Sequence, residues 1–172
     1  YVGNTTDVDL DNDVFPVVPW LMTYWGDSSP WWGYVGADGI MCRGGVRTNT
    51  NLSDVADSRR NVLIHSKDLA ITADTTVNSL VLSDLKKQSL AGHQLAISSG
   101  GLILRGSSGL GTADGGESNG GVVFPERAYV WSLTTSASSP SAIWSPITAP
   151  KGVVAAGAGY LRLGGDQTHI DG

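Results

Sequence analysis

The chain has 172 residues, of which 41% are hydrophobic and only 16% are charged, and its net charge is −5. This length allows one domain with a sizeable core. The 16 acidic and 11 basic residues are spread along the chain without a basic stripe, so we expect no nucleic acid among its partners.

The composition also indicates the fold class. The chain has 23 Gly and 7 Pro, it is rich in Ser and Thr, and it has almost no Glu. No stretch of a dozen residues places helix-forming side chains at helical spacing. The sequence therefore predicts an all-β protein.

Metal, disulfide and membrane chemistry find little support in the sequence. A single cysteine, Cys42, cannot form an internal disulfide, and the three histidines are too scattered for a zinc site. We therefore expect no metal and no cofactor.

The longest apolar run, Val14 to Met22, is interrupted by prolines and is too short to cross a bilayer. The chain starts at Tyr1 with no leader features, so we expect a mature product or a piece of a longer chain.

Residues 1–13 form an acidic N-terminal arm, with Asp at every second position from 7 to 13. An EF-hand calcium loop would need Gly and Glu where this chain has Asn12 and Val18. We interpret the arm as a solvated edge strand, and weak calcium binding remains the alternative.

Residues 14–60 are interpreted as an irregular, aromatic-rich cap and lead-in, with a polar loop at 48–60. Four of the six tryptophans fall within 13 residues: Trp20, Trp25, Trp31 and Trp32. Dense aromatic side chains either pack as a plug over an exposed end or present their ring faces to a sugar or a partner. Since large aromatic side chains are usually buried, we favour the cap, and we keep these four as possible ligand contacts.

From residue 61 onward, short apolar cores recur between turn residues. Leu80 and Leu102 are 22 residues apart, and Leu69 and Leu95 are 26 apart. Such a spacing lets successive coils of a β-solenoid stack like on like. Because side chains alternate along a strand, we expect one set to point inward. These are Leu69, Ile71, Leu80, Leu82, Leu95, Ile97, Leu102, Leu104, Leu161 and Leu163.

Two further expectations concern the later part of the coils. Residues 98–101 have turn chemistry, so we expect them to separate two short strands. The Gly-rich segment 107–121 lacks a dinucleotide or P-loop pattern and is expected to be a flexible loop. The coils then resume and continue to an open C-terminal end at residue 172.

Five segments carry a resemblance to a known family. Together they resemble one unit of the autotransporter-associated β-strand repeat proteins: TVNSLVL (76–82), LAGHQLAISSGGLILRG (90–106), RAYVW (127–131), SPITAPKGVVAAGAGYLRLGG (145–165) and DQTHIDG (166–172). The resemblance implies a right-handed parallel β-helix that is exported to a bacterial surface as part of a long, passenger-like protein. It also implies a structural, adhesive or scaffolding role, and it brings no catalytic residues with it.

The sequence therefore favours a non-catalytic structural module that forms a β-helical rod or filament on a bacterial surface or outside the cell. Its expected partners are other copies of itself, further repeats of a longer chain, or a surface polysaccharide. One alternative is a carbohydrate- or partner-binding module that uses the aromatic cluster from Trp20 to Tyr34. A second is a polysaccharide-active enzyme, for which only Asp74, Asp84, His93 and Arg105 are candidates. These acids and His93 are better explained as turn residues.

Overall fold

The computed structural model describes residues 17–25, 29–36, 39–43, 46–48, 52–55, 57–65, 71–84, 87–165 and 167. At 23–25, 29–31, 34–36, 39–43, 46–48, 54–55 and 87, only the backbone is described. The acidic arm 1–13 and Leu69 lie outside these residues, so the predictions made for them stay predictions.

Strands make up most of the described chain. They are β1 (Val17–Trp25), β2 (Ser29–Gly36), β3 (Gly39–Arg43), β4 (Val46–Thr48), β5 (Asn61–His65), β6 (Thr75–Ser83), β7 (Lys87–Gln88), β8 (Gln94–Arg105), β9 (Gly109–Leu110), β10 (Gly121–Val123), β11 (Ala128–Ser132), β12 (Ser141–Ile143), β13 (Ile147–Thr148), β14 (Val153–Ala156) and β15 (Leu161–Leu163). The helical pieces are a single turn, α1 (Leu52–Val55), and a 3-10 turn, Gly116–Asn119.

From β4 onward the strands stack in parallel, in three columns. The first column runs β4, β5, β6, β8, β11, β14, and the second joins the first halves of β6 and β8 to β10 and β13. The third column runs β7, β9, β12, β15. The structure thus confirms the predicted parallel β-helix, with about four coils. The stack already includes Val46–Thr48, which the sequence analysis had placed in the lead-in.

The predicted spacing is seen directly in the register of the strands. Leu80 pairs with Leu102, and the same column continues from Leu102 to Val130 and from Val130 to Ala155. Seven of the ten side chains predicted to point inward are buried in one continuous core: Ile71, Leu80, Leu82, Leu95, Ile97, Leu102 and Leu104. Like therefore stacks on like through successive coils, as a solenoid core requires.

The last coil departs from the prediction. Leu161 is only partly buried, and Leu163, which was predicted to be inward, is 40% exposed. Both lie in β15, whose only strand partner among the described residues is β12. An inward residue of a solenoid is buried only when a coil lies on both sides of it. The alternating pattern predicted the strand, but it does not tell whether a coil covers that strand on its second side.

The N-terminal aromatic segment is also different from the expected irregular cap. β1, β2 and β3 form an antiparallel sheet, interrupted by one bulge in β1. This sheet lies against the flank of the first column, where Val17 and Trp32 pack on outward-facing apolar side chains of successive coils. Those side chains, Leu63, Val81, Ile103 and Trp131, are in register with one another. The predicted plug over an end is therefore a layer along a side.

A close approach of backbone and ring allows this packing. A β-carbon on Gly101 would lie 2.8 Å from Cη2 of Trp32 and 3.2 Å from Cβ of Pro19. Only a residue without a side chain lets the Trp32 ring lie flat against β8 at that point.

Three loop predictions need correction. Residues 98–101 do not separate two strands, because β8 continues through them and bends at Gly100, whose φ is +83°. The polar loop at 48–60 contains α1, whose Leu52 is buried in the main core. The Gly-rich segment 107–121 is no loose loop, since it includes β9 and a buried asparagine, Asn119.

Candidate functional site

The four candidate tryptophans do not share one environment. Trp32 is fully buried between the antiparallel sheet and the solenoid, so its ring faces cannot reach a ligand. Trp20 is 57% exposed. The side chains of Trp25 and Trp31 lie outside the described part of the structure. Of the sequence-predicted contacts, Trp20 is the one that the described structure presents to solvent.

A local irregularity in β1 places Trp20 on the surface. Val18 pairs with Gly33 and Met22 pairs with Trp32, so residues 19–21 are extra on the β1 side of the ladder. Such bulges turn side chains away from their regular direction and are common next to functional sites. Pro19 suits this position because it has no backbone N–H to leave unpaired.

Trp20 borders a groove of about 490 Å³ between β1 and the solenoid. One wall is the start of β1, and the other is formed by the corners of three successive coils. The lining side chains with aromatic or polar groups include Trp20, Asn78, Ser98, Ser99, Arg127 and Tyr129. The volume is within the range of about 300–1,000 Å³ that is typical of small-molecule sites.

A hydrogen bond holds β1 against the solenoid, and a glycine brings two of the coil corners close together. Nε1 of Trp131 donates to the carbonyl oxygen of Pro19 at 2.9 Å. On the solenoid side, Gly100 lets the two coil corners approach, because a β-carbon there would clash with the carbonyl oxygen of Arg127. Contacts within the protein therefore hold both walls in place.

The polar groups of the groove are fixed by the coils. Ser98 Oγ lies 2.8 Å from the carbonyl oxygen of Val77, and Ser99 Oγ donates to the carbonyl oxygen of Asn78 at 2.6 Å. Ser98 Oγ is also 2.8 Å from the carbonyl oxygen of Ser58, and Ser99 Oγ also accepts from the backbone N–H of Gly101 at 3.2 Å. Each hydroxyl uses its proton within the fold and keeps at least one lone pair that can accept. Arg127 Nε donates to the carbonyl oxygen of Lys151 at 2.8 Å, which leaves the two terminal nitrogens of the guanidinium as donors.

The groove has no large charge of one sign. Glu126, which also lines it, forms an ion pair with Lys151 at 2.8 Å. With Arg127 nearby, acidic and basic groups are mixed rather than segregated. The site is therefore suited to an uncharged ligand with many hydroxyl groups rather than to a polyanion.

The candidates for catalysis are divided between two places. Asp74 Oδ1 is 3.7 Å from His93 Nδ1 and also accepts a hydrogen bond from the backbone N–H of Gln94 at 2.9 Å. At a different corner, Asp84 Oδ2 is 3.5 Å from His65 Nδ1. Asp74 thus ties its turn to the start of β8 on the next coil, and Asp84 bonds to the neighbouring Ser83, so each carboxylate beside its histidine has a structural partner.

A serine beside the second pair does not make it a catalytic triad. Ser83 is buried, its Oγ donates to Asp84 Oδ2 at 2.9 Å, and it lies 3.1 Å from His65 Nδ1. A nucleophilic serine must instead give its proton to a histidine that the acid orients from the other side. Arg105 joins this corner through register, since it pairs with Ser83.

Two findings limit other chemistries in the described residues. In the ranges that the structure describes, no three His, Cys, Asp or Glu side chains come together to hold a metal ion. No helix in those ranges is long and apolar enough to cross a bilayer.

Comparison of the chain with protein-family models, with curated proteins and with solved structures gives no match.

Sequence reasoning missed Arg127 and Tyr129. They follow Trp20 by more than 100 positions, and the segment RAYVW (127–131) that contains them carried only a resemblance in fold, with no functional role for either residue. The one signal was the spacing of the coils: Tyr129 pairs with Gly101, next to the corner at Gly100. A register prediction extended by one coil would have placed Tyr129 beside that corner.

Proposed function

We propose that this chain is a non-catalytic structural module of a bacterial surface or extracellular protein, in which the β-helix acts as a scaffold with an adhesive role. The observation that carries the proposal is the continuous core through successive coils, with parallel ladders on three sides. Each added coil extends such a stack by about 4.8 Å, so length and stiffness follow from the number of coils. The resemblance to autotransporter-associated repeat proteins supports the surface setting.

The local environments of the enzyme candidates support a non-catalytic role. Asp74 and Asp84 each have a structural partner beside one histidine, and Arg105 lies in a strand of the coil. A glycoside hydrolase needs two carboxyl groups on opposite sides of one sugar bond, roughly 5–10 Å apart. These residues are accounted for by the fold itself.

The exposed side of the last coil supports association with a further coil, from the same polypeptide or from another copy. The inward-facing Leu163 is 40% exposed, and Leu161 in the same strand is only partly buried. In the described part of the chain, β14 and β15 each have a strand partner on one side. Unpaired strand edges with apolar side chains are templates for another strand.

At β13, the last strand of the second column, a side chain already makes hydrogen bonds that a neighbouring strand would make. Gln167 Oε1 accepts a hydrogen bond from the backbone N–H of Ile147 at 3.1 Å, and Gln167 Nε2 donates to the carbonyl oxygen of Ser145 at 3.3 Å. The side-chain amide thus takes the place that a peptide group of a neighbouring strand would have. The outer edge of β13, which ends the second column, is therefore hydrogen-bonded. In the described part of the chain, the outer edges of β14 and β15, which end the other two columns, have no strand partner.

Two experiments test the proposal. Antibodies against the chain should label intact, unpermeabilised cells of the bacterium that encodes it, and labelling only after permeabilisation would reject the surface setting. The purified chain should generate no new reducing ends and no unsaturated uronates from neutral or acidic polysaccharides. Steady release of either product that disappears in an Asp74→Asn or Asp84→Asn variant would reject the non-catalytic role.

A further inference from the structure

The groove between β1 and the coil corners offers an aromatic surface that the fold does not need. Large aromatic side chains are usually buried, yet Trp20 is 57% exposed on a bulge. Trp32, twelve residues later, shows how the same sheet buries an indole when packing requires it. The exposure of Trp20 is therefore a property of the bulge and calls for a role outside the core.

The Trp20 ring is carried by a fixed piece of backbone. Pro19 has a restricted φ, and its carbonyl oxygen accepts the hydrogen bond from Trp131 at 2.9 Å. An aromatic surface that is already in place loses little entropy when a ligand binds. Tyr129 contributes a second, partly buried ring to the lining of the same groove.

We infer that this groove binds a neutral pyranose polysaccharide, with a sugar ring stacked on Trp20 and its hydroxyl groups bonded to Ser98, Ser99 and Arg127. The C–H face of a pyranose is apolar and flat enough to lie on an indole, while its edge carries donors and acceptors. The groove offers the same combination: an aromatic face, hydroxyl lone pairs and guanidinium N–H groups.

The electrostatics favour a neutral polymer over an acidic one. Glu126 lines the groove together with Arg127, and Lys151 is already paired with Glu126 at 2.8 Å. A polyanion would be repelled by the Glu126 carboxylate, and the terminal nitrogens of Arg127 would be its one cationic partner among the lining residues. The inference deepens the adhesive role proposed above and rests on it for its setting, because a surface scaffold meets polysaccharide.

Affinity electrophoresis tests the inference on the whole chain. Native gels should contain dextran, β-glucan, mannan or xylan as neutral polymers, and polygalacturonate as an acidic one. We expect the wild-type chain to be retarded by at least one neutral polymer. Trp20→Ala should weaken that retardation at least tenfold, and Trp20→Tyr should restore part of it.

Tyr160→Ala is the matched control, since Tyr160 is 54% exposed but is not among the groove's lining residues. It should bind as the wild type does. Thermal melts should show that Trp20→Ala stays folded, because the ring it removes is mostly in solvent.

Three outcomes would overturn the inference. They are no retardation of the folded wild type in any neutral gel, equal losses in Trp20→Ala and Tyr160→Ala, and retardation only by polygalacturonate. None of these outcomes would affect the cell-labelling result. Failure of polysaccharide binding in the groove can therefore be distinguished from failure of the proposed scaffold role.

Discussion

Nε1 of Trp131 donates a hydrogen bond to the carbonyl oxygen of Pro19 across 112 residues of sequence. This bond ties the bulge of β1 to β11, the fifth strand of the first column. It lies in a partly buried position, where an unmet polar group is costly.

Trp131→Phe should loosen the N-terminal sheet. The variant keeps an aromatic ring but loses the bond, which contributes about 1 kcal/mol to the free energy of unfolding. Hydrogen exchange at β1 should become faster. Trp144→Phe is the control, because the structure shows no acceptor for the Trp144 indole N–H among the described residues. Equal exchange at β1 in the two variants would contradict the assigned role of the bond.

Gly101→Ala should separate the sheet from the coils. Its new methyl group would lie 2.8 Å from the Trp32 ring, and such overpacking costs about 1–3 kcal/mol. Gly121→Ala is a matched control, since the nearest atom to its added carbon is 3.9 Å away. Urea denaturation should show a lower midpoint for the first variant alone. Similar midpoints for the two would mean that Trp32 can shift without cost.

Leu80→Ala and Leu163→Ala should differ strongly. Leu80 is fully buried and stacks on Leu102, so its truncation leaves a cavity and should cost about 2–5 kcal/mol. Leu163 is 40% exposed, and its truncation should cost much less. Chemical denaturation of the two variants measures the difference. A large loss in Leu163→Ala would show that this side chain is covered in solution.

Asn119→Ala should destabilise the Gly-rich segment. Asn119 Oδ1 accepts from the N–H of Thr112 at 2.7 Å, and Nδ2 donates to the carbonyl oxygen of Thr112 at 2.8 Å. Loss of this buried pair should cost about 1–3 kcal/mol, measured by urea denaturation. The exposed Asp114 in the same segment provides the control, and Asp114→Ala should leave the midpoint nearly unchanged. A flexible loop, as first expected from the sequence, would tolerate both changes.

Chelation should leave the melting temperature unchanged, because we expect no metal in the folded chain. Scanning fluorimetry with and without excess EDTA and EGTA is sufficient. A drop of several degrees that added calcium reverses would instead support calcium binding by the acidic arm 1–13, because a ligand that binds the native state raises its stability.

The solenoid could be predicted because its signal is local and repeated. Leu80 and Leu102 have similar neighbours in sequence, and the strand period alone decides which of their side chains point inward. The covering sheet also had a signal. Val81 and Ile103 are outward residues that are apolar, and water should not cover a column of such side chains.

The groove could be predicted only in part. The density of aromatic residues identified Trp20, but the bulge that exposes it depends on how β1 pairs with β2. Arg127 and Tyr129 reach the groove through the stacking of coils, which no short motif records. Sequence patterns report alternation along one strand, whereas this site is assembled from an antiparallel sheet and three coils.

The flank formed by Leu63, Val81, Ile103 and Trp131 also sets the order of assembly. β1 is synthesised before any of them, yet the surface that it covers is incomplete until β11 has joined the first column. Joining segments this far apart costs loop entropy and slows the step. We therefore expect the coils to form before β1 to β3 dock. In that interval the apolar flank would be open to other chains, and we expect newly made protein to be most prone to aggregation just before β1 docks.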